Sequence, residues 1–297
     1  MRISRWILWP LVLLLLLAIA LFFYGRSVQG WLEENQPQMF ADPVYESEPI
    51  AIPETVLAAG NRPVVLLFTK TNGFRHHDAI DAAKALYSEL AQQHDWMLLA
   101  TESGAAFTDQ LLSRVAVIVA ANASGPLFTD QQQGAFKRYL EGGGGFVALH
   151  AAGDGSHAAW PWYQDEVIRA HFTGHGQFPQ FATATVTTED TSHPAMAHLP
   201  KEGQHEDEWY CFEASPRPNT HVLASIDEAD INWWGIDHTD GIKLRNLAMG
   251  EDHPVIWHHN VKQGRVLYIA PGHQGETYQI PYFRTLVEQA TIWAGRL

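Results

Sequence analysis

A doubly wound α/β sheet is the fold that this 297-residue sequence predicts. From Pro63 onward, short apolar runs alternate with segments whose apolar residues recur at helical spacing, which is the pattern of βαβ units. Several of the runs are apolar on both faces, as strands covered by helices on both sides are. Polar residues repeatedly follow the runs, at the strand ends where such sheets bind ligands.

The first half of the predicted domain contains four strands. The strand candidates are residues 64–69, 96–101, 115–120 and 146–150. A helix is predicted between the first two, because Ile80, Ala83 and Leu90 share one helical face. A second helix begins after Thr129, which has the position of an N-cap, and it ends at the glycine run that starts at Gly142.

The second half of the domain repeats the apolar pattern less regularly. The strand candidates are TATVTT, HVLASI, PVIWHH and RVLYIA, at residues 183–188, 221–226, 254–259 and 265–270. A closing helix is predicted over residues 281–293. The whole pattern is that of one domain, since no internal repeat is visible.

The amino-terminal segment predicts a membrane span. Residues 6–24 carry no charge, and a stretch of about 19 residues is close to the ~20 that a helix needs to cross a bilayer. Aromatic residues lie at both ends of this stretch, and no A-x-A cleavage pattern follows it, so an anchor is favoured over a cleaved signal peptide. Arg2 and Arg5 precede the stretch, which predicts an anchor in a bacterial inner membrane with the domain facing the periplasm.

These patterns divide the chain into three parts. Residues 1–30 are predicted to be the membrane anchor, residues 31–60 a linker and residues 61–297 the α/β domain. The linker is rich in proline and acidic residues and has few consecutive apolar residues, so it is not expected to form a core of its own.

The composition limits the class of partner. A formal net charge of -14 would repel a phosphate backbone, so nucleic acid is not an expected partner. The chain combines 11 Trp with 16 His, and this combination suits sugars and other uncharged polyols. Cys211 is the only cysteine, which excludes an intramolecular disulfide and a zinc site built from cysteines.

Histidines and acids follow three of the predicted strands. Arg75 and His76 follow the first strand, and His150 ends the fourth, with Asp154 four residues later. A late strand is followed by His273, with Glu276 nearby as a candidate partner. The small residues after His150 allow a sharp turn that would present the imidazole as a base, an acid, a hydrogen-bond donor or a metal ligand. A core histidine bonded to a loop carbonyl is the alternative.

Further candidates lie between residues 160 and 210. Trp162 and Tyr163 are candidates for stacking on a sugar ring. His171 and His175 have the spacing of metal ligands on a helix, although the neighbouring glycines disfavour a regular helix there. His193 precedes a proline, which is commonly only a turn. In the run EDEWY, Glu208 is one of three carboxylates whose mutual repulsion would raise one pKa, unless the run is a solvated edge.

Several motifs together resemble the trehalose-utilisation family of ThuA-like proteins. They are FTKTNGFRHH, GGGGFVALHAAGD, WPWY, DEWYCF, HPVIWHH and GRVLYIAPGH, and they span nearly all of residues 64–297. The resemblance implies a flavodoxin-like fold related to class I glutamine amidotransferases and a role in the catabolism of trehalose and other glycosides through keto-sugars. In those amidotransferases a cysteine nucleophile follows the corresponding strand, and the matching position in this sequence looks like His150. Because the thiol is missing there, glutamine hydrolysis is not expected.

The resemblance also implies a set of site residues. The implied catalytic residues are His150, Asp154, Glu208 and His273; the implied substrate-binding residues are Arg75, His76, Trp162, Tyr163, His175 and His193. The expected partner is a small carbohydrate, processed by hydrolysis, elimination or isomerisation. The alternatives are a sugar-binding module without catalysis and a metal-dependent hydrolase, in which zinc would be bound by histidines among His150, His175, His193 and His273.

Overall fold

The computed structural model describes residues 5–229, 231–239 and 243–297. The chain forms two compact units, one ending at Asp42 and the other comprising Pro43–Leu297. In the first unit, α1 (Arg5–Asn35) continues past the predicted uncharged stretch and is followed by a 3-10 turn at Pro37–Phe40. The part of α1 from Val12 to Asn35 is long and apolar enough to cross a membrane, a property that signal sequences share.

Part of the predicted linker belongs to the second unit. A short helix, α2 (Glu54–Leu57), places Val56 in the hydrophobic core. Nearer the amino terminus, the Glu46 carboxylate accepts hydrogen bonds from Lys70 Nζ at 2.6 Å and from the Gly104 amide at 2.8 Å. The acidic residues of this segment therefore do more than keep it solvated, because one of them fixes it to the domain.

The second unit contains thirteen strands and four further helices among the described residues. In chain order they are β1 (Val64–Phe68), α3 (His77–Gln93), β2 (Met97–Thr101), α4 (Asp109–Leu112), β3 (Val115–Ala121), α5 (Asp130–Glu141), β4 (Gly145–Leu149), β5 (Phe172–His175), β6 (Ala182–Thr188), β7 (Glu202–Asp207), β8 (Tyr210–Phe212), β9 (His221–Ile226), β10 (Trp234–Asp237), β11 (Lys243–Asn246), β12 (Pro254–Val261), β13 (Gly264–Ile269) and α6 (Pro281–Gly295). All eight strands and all three helices predicted from the sequence are present, with ends that differ by one or two residues.

Nine strands form one mixed sheet in the order β2-β1-β3-β4-β13-β12-β9-β6-β7. The pairings from β2 to β13 are parallel, and those from β13 to β7 are antiparallel. The βαβ pattern of the sequence predicts a parallel sheet, and the structure differs from this prediction in its second half. The reason is local, since β12 and β13 are joined by a tight turn at Lys262 that is too short for a crossover helix.

The glycine run before β4 has a packing role. Thr129 forms a capping box with Gln132 at the start of α5, and Gly142 caps the end of this helix. At Gly145 a Cβ would collide with the Ala294 carbonyl of α6, so glycine is required for this helix to lie against the strand. Every residue of β4 is buried, and its carboxyl end delivers the chain to His150.

Candidate active site

Three histidines come together at one edge of the sheet. His76 follows β1, His150 follows β4 and His273 follows β13, and these strands lie in the order β1-β3-β4-β13. The carboxyl ends of parallel strands meet at the same edge, which brings the three imidazoles together. Glu208, between β7 and β8, completes a set that we call the histidine–glutamate cluster: His76, His150, Glu208 and His273.

Three atoms of the cluster form a small triangle. His150 Nε2 lies 3.2 Å from His273 Nδ1, which lies 3.0 Å from Glu208 Oε2. The third side, from His150 Nε2 to Glu208 Oε2, measures 3.4 Å. The His150 side chain is fully buried and that of Glu208 is 3% exposed, whereas that of His273 is 15% exposed. The triangle is therefore open to solvent through His273.

The backbone at His150 is in the left-handed region, with φ at +48°. This conformation is uncommon outside glycine and turns the chain sharply after β4. The ring Nδ1 lies 2.7 Å from the Ala270 carbonyl oxygen, and a carbonyl can only accept, so Nδ1 carries a proton and donates. In the neutral ring, Nε2 therefore carries a lone pair, which points towards His273 and Glu208.

The charges within the cluster stabilise one another. Burial alone would raise the pKa of Glu208, but hydrogen bonds from His150 and His273 hold it well below its usual range. Burial alone would lower the pKa of His150, and the hydrogen bond and charge of Glu208 raise it instead. The pKa of His76 is well below its usual range because of burial and the neighbouring imidazoles. The surroundings therefore favour the ionised form of Glu208 and the neutral form of His76, and they make His150 easier to protonate than its burial alone would allow.

The second oxygen of Glu208 is bound on the other side. Gln180 Nε2 donates to Glu208 Oε1 at 2.6 Å, and His175 Nδ1 lies 3.3 Å from the same oxygen. His175 reaches this position because β5 pairs with β8, where it lies opposite Tyr210. The Tyr210 ring in turn packs against the His150 ring at 4.2 Å between centroids.

Asp207 fixes the loop that carries His273. Its carboxylate is fully buried and accepts from the amides of Gly272 at 2.9 Å and His273 at 3.1 Å. It also accepts from Thr277 Oγ1 and His205 Nε2, each at 3.1 Å. Burial alone would raise the pKa of Asp207, but these donors lower it. The loop after β13 is therefore attached to the end of β7.

The EDEWY run differs from both readings of its sequence. The pKa values of Asp207 and Glu208 are lowered, so carboxylate repulsion does not raise either of them. Nor is the run a solvated edge, because only Glu206 is exposed. The alternation of β7 turns Glu206 outward and Asp207 inward, and each buried carboxylate faces hydrogen-bond donors rather than another carboxylate.

Five of the implied site residues make hydrogen bonds or ring contacts with residues outside the cluster. Arg75 forms a two-pronged ion pair with Glu102, and Asp154 bonds to Ser156. Trp162 contacts Phe136 and Lys137, and the Tyr163 hydroxyl donates to the Ala152 carbonyl. The His193 ring packs against His258 and Trp293. Glu276 is exposed, and the carboxylate beside His273 is that of Glu208.

Several residues at the cluster are absent from the sequence-derived set. Asp207 accepts a hydrogen bond from the Glu208 amide, and Gln180 donates one to the Glu208 carboxylate. The ring centroids of Phe181 and Phe74 lie 5.0 Å and 6.4 Å from that of His273. The signal that could have found Asp207 is its place in the EDEWY run, since the polar sequence of β7 does not mark it as a strand. Gln180 and Phe181 carry no local signal, since they follow Pro179 in an irregular segment before β6.

A family model and solved structures show what this chain is similar to. A family model described as ThuA, trehalose utilisation, matches residues 64–294. A solved ThuA-like protein from Bacteroides uniformis is 22% identical over 86% of this chain and 95% of its own, with a TM-score of 0.66. A second, from Parabacteroides merdae, is 17% identical over 79% of this chain and 90% of its own, with a TM-score of 0.59. These two likenesses show a shared fold. The comparison with curated proteins found no match.

Proposed function

We propose that this chain, which belongs to the ThuA (trehalose utilisation) family, acts on a glycoside or keto-sugar of the trehalose type at the histidine–glutamate cluster. The family match supports the carbohydrate class of the substrate. The observation that carries the site is the triangle of His150, Glu208 and His273 at the carboxyl edge of the sheet. Hydrolysis, elimination and isomerisation of a sugar all need a group that removes a proton and one that returns it.

The geometry supports particular roles for the three groups. His273 is the member that reaches solvent, so it is placed to exchange a proton with a sugar. Glu208 supplies the carboxylate and is held between His273 and His150. Asp154 is less suited to that role, because Ser156 already occupies one of its oxygens through two hydrogen bonds. Phe74 and Phe181, beside His273, are the proposed apolar walls for the sugar ring.

We propose further that the scaffold is flavodoxin-like and related to class I glutamine amidotransferases. The order β2-β1-β3-β4-β13 supports this, since the flavodoxin-like order is 2-1-3-4-5 with β13 as the fifth strand. The left-handed backbone of His150 supports its placement at the nucleophile elbow. Cys211 is fully buried in β8 and burial raises the pKa of its thiol, which argues against thiol-based glutamine hydrolysis.

We propose that α1 anchors the protein in a bacterial inner membrane with the α/β unit in the periplasm. The apolar stretch from Val12 and the basic residues before it support this orientation. The full chain should stay with the membrane after an alkaline carbonate wash, and protease added to spheroplasts should digest the α/β unit. Release by the wash, or protection until the cells are lysed, would contradict the anchor or its orientation respectively.

The substrate class is tested with a panel of neutral sugars. The full chain in detergent is mixed with trehalose, 3-keto-trehalose and other glycosides with their 3-keto forms, and binding is measured by calorimetry and turnover by NMR. At least one keto-glycoside or glycoside should bind and be converted. Binding without conversion would indicate a sugar-binding module, and the absence of any binding would refute the proposal.

A further inference from the structure

We infer that the histidine–glutamate cluster is a binding site for one divalent transition-metal ion of the Zn²⁺ type, with His150 Nε2, His273 Nδ1 and Glu208 Oε2 as ligands. The inference goes beyond the proposed function and does not depend on it, because metal binding is measurable without a substrate. It stands on the spacing of the three atoms, on a count of their hydrogens, and on the groups that surround them.

The spacing fits a bound ion. Ligand atoms at 2.0–2.1 Å from a tetrahedral ion lie about 3.3 Å from one another. The three sides of the triangle measure 3.0, 3.2 and 3.4 Å. His76 offers a ring nitrogen within 4.8 Å of the other three ligand atoms, so it is available as a fourth ligand.

The hydrogens of the triangle leave it short of positive charge. His150 uses its Nδ1 proton for the Ala270 carbonyl, so its neutral ring brings only a lone pair to the triangle. Glu208 brings a second lone pair, and His273 Nδ1 carries one hydrogen at most. If that hydrogen points at Glu208 Oε2, the lone pairs of His150 Nε2 and Glu208 Oε2 face each other with no hydrogen between them. One added proton would form a hydrogen bond between those two atoms only. A metal ion would bind the lone pairs of all three atoms, once His273 Nδ1 is deprotonated.

His76 distinguishes the ion from the proton. Its Nδ1 is buried and has no hydrogen-bond partner, and its ring centroid lies 4.4 Å from that of His273 and 4.9 Å from that of His150. Buried polar atoms are normally bonded, so an unpartnered imidazole nitrogen beside this triangle points to a ligand. A proton shared by His150 and Glu208 would involve no nitrogen of His76, whereas an ion would be close enough to take one as a fourth ligand.

The surroundings are those of a metal centre. In metal-binding histidines the N–H of the second ring nitrogen usually donates a hydrogen bond to a carbonyl or carboxylate oxygen, as His150 Nδ1 does to the Ala270 carbonyl. The remaining oxygen of Glu208 is held by Gln180. Imidazoles with one carboxylate favour transition metals over Ca²⁺ and Mg²⁺, which prefer oxygen ligands. An ion held there would have His150 and His273 as ligands, and the chemistry it would supply is the polarisation of a sugar oxygen or a water.

The test is metal uptake by the full chain, purified in detergent without a histidine tag. The protein is stripped with a chelator, and Zn²⁺, Co²⁺ and Mn²⁺ are added while bound metal is measured by mass spectrometry. We expect about one Zn²⁺ or Co²⁺ per chain. Loss of an outer partner typically weakens binding ~10–100-fold, so H150N and E208Q should weaken it by at least that factor. H171N is the matched control, since it removes an exposed histidine from a histidine–aspartate pair and should bind normally.

Two measurements on the wild type need no variant. Bound Co²⁺ should give visible absorption bands of a low-symmetry site with nitrogen and oxygen ligands, and Zn²⁺ should raise the Tm of the stripped protein. Absence of uptake at millimolar metal, or unchanged affinity in folded H150N and E208Q, would overturn the inference. Metal binding without turnover of any sugar would support the metal site and count against the proposed function. Turnover of a sugar by protein that binds no ion would support the proposed function and count against the metal site.

Discussion

Replacing His150 with asparagine should lower turnover of the sugar substrate by about 10²–10⁴-fold, the usual contribution of a positioned proton-transfer group. The substitution removes Nε2 from the triangle with Glu208 and His273. Asparagine is chosen because it tolerates the left-handed backbone at this position better than alanine does. The fold should therefore persist while the chemistry is lost, which is checked by measuring kcat and KM on the substrate found in the panel.

The loss should appear in kcat more than in KM. His150 is fully buried, so a sugar that enters beside the partly exposed His273 makes most of its binding contacts elsewhere. H171N serves as the control, because His171 is exposed and forms a comparable pair with Asp165 away from the cluster. A folded H150N protein whose kcat stays within a few-fold of the wild type would remove His150 from the mechanism.

Glu208 offers a check on whether the cluster acts as a unit. E208Q should cost a similar factor, because glutamine keeps the shape and loses the charge that holds His150 and His273. Groups that act together are strongly non-additive, so the double variant should be little worse than either single one. A double variant whose loss equals the product of the two single losses would mean that His150 and Glu208 act independently.

The fold could be predicted because its signals are local. The apolar runs of β1 and β4, the helical face of α3 and the cap at Thr129 each lie within a few residues of one another, and each element is found where it was predicted. In the antiparallel half of the sheet, the direction of pairing and strand β7 could not be predicted in the same way. β7 is largely polar, so it lacks the apolar run that marks a strand.

The convergence of three histidines could be predicted because it depends on strand ends. His76, His150 and His273 each follow a strand, and the order of the strands then brings them together. Trp162 and His193 show the limit of such reasoning. Their motifs are as distinctive as that of His150, but Trp162 packs on Phe136 and Lys137 and His193 packs on His258 and Trp293. A motif identifies a residue as important without saying whether it serves packing or chemistry.

Replacing Asp207 with asparagine should lower the free energy of unfolding by about 3 kcal/mol, because it leaves at least one buried backbone amide unbonded within a buried network. Asp207 Oδ1 accepts from the amides of Glu208 and His273, and Oδ2 accepts from Gly272, Thr277 and His205. Asparagine keeps only one oxygen. Its amino group must face either the amides of Glu208 and His273 or the Gly272 amide together with Thr277 and His205, so in each orientation at least one backbone amide faces another donor.

The damage should centre on the loop that carries His273. The Gly272 and His273 amides should exchange faster with deuterium in D207N, and activity or metal affinity should fall although Asp207 touches neither the substrate nor the ion. D237N is the matched control, since Asp237 is also buried and bonded to Thr239 and Arg245 but lies away from the cluster. D207N should be destabilised more than D237N in urea unfolding, and only D207N should affect the site.

The pH dependence of this difference tests its electrostatic origin. The folded-state pKa of Asp207 is below its ordinary value, so the ionised carboxylate stabilises the fold fully above the unfolded-state pKa of about 3.9. That stabilisation is lost as the pH falls through the lowered folded-state pKa. In metal-stripped protein, the gap in unfolding free energy between wild type and D207N should be constant near neutral pH and should narrow at acid pH. If the difference in unfolding free energy stays constant down to the lowest pH at which the protein folds, the charge of Asp207 does not contribute. If the difference is near zero at neutral pH, the loop after β13 does not depend on Asp207.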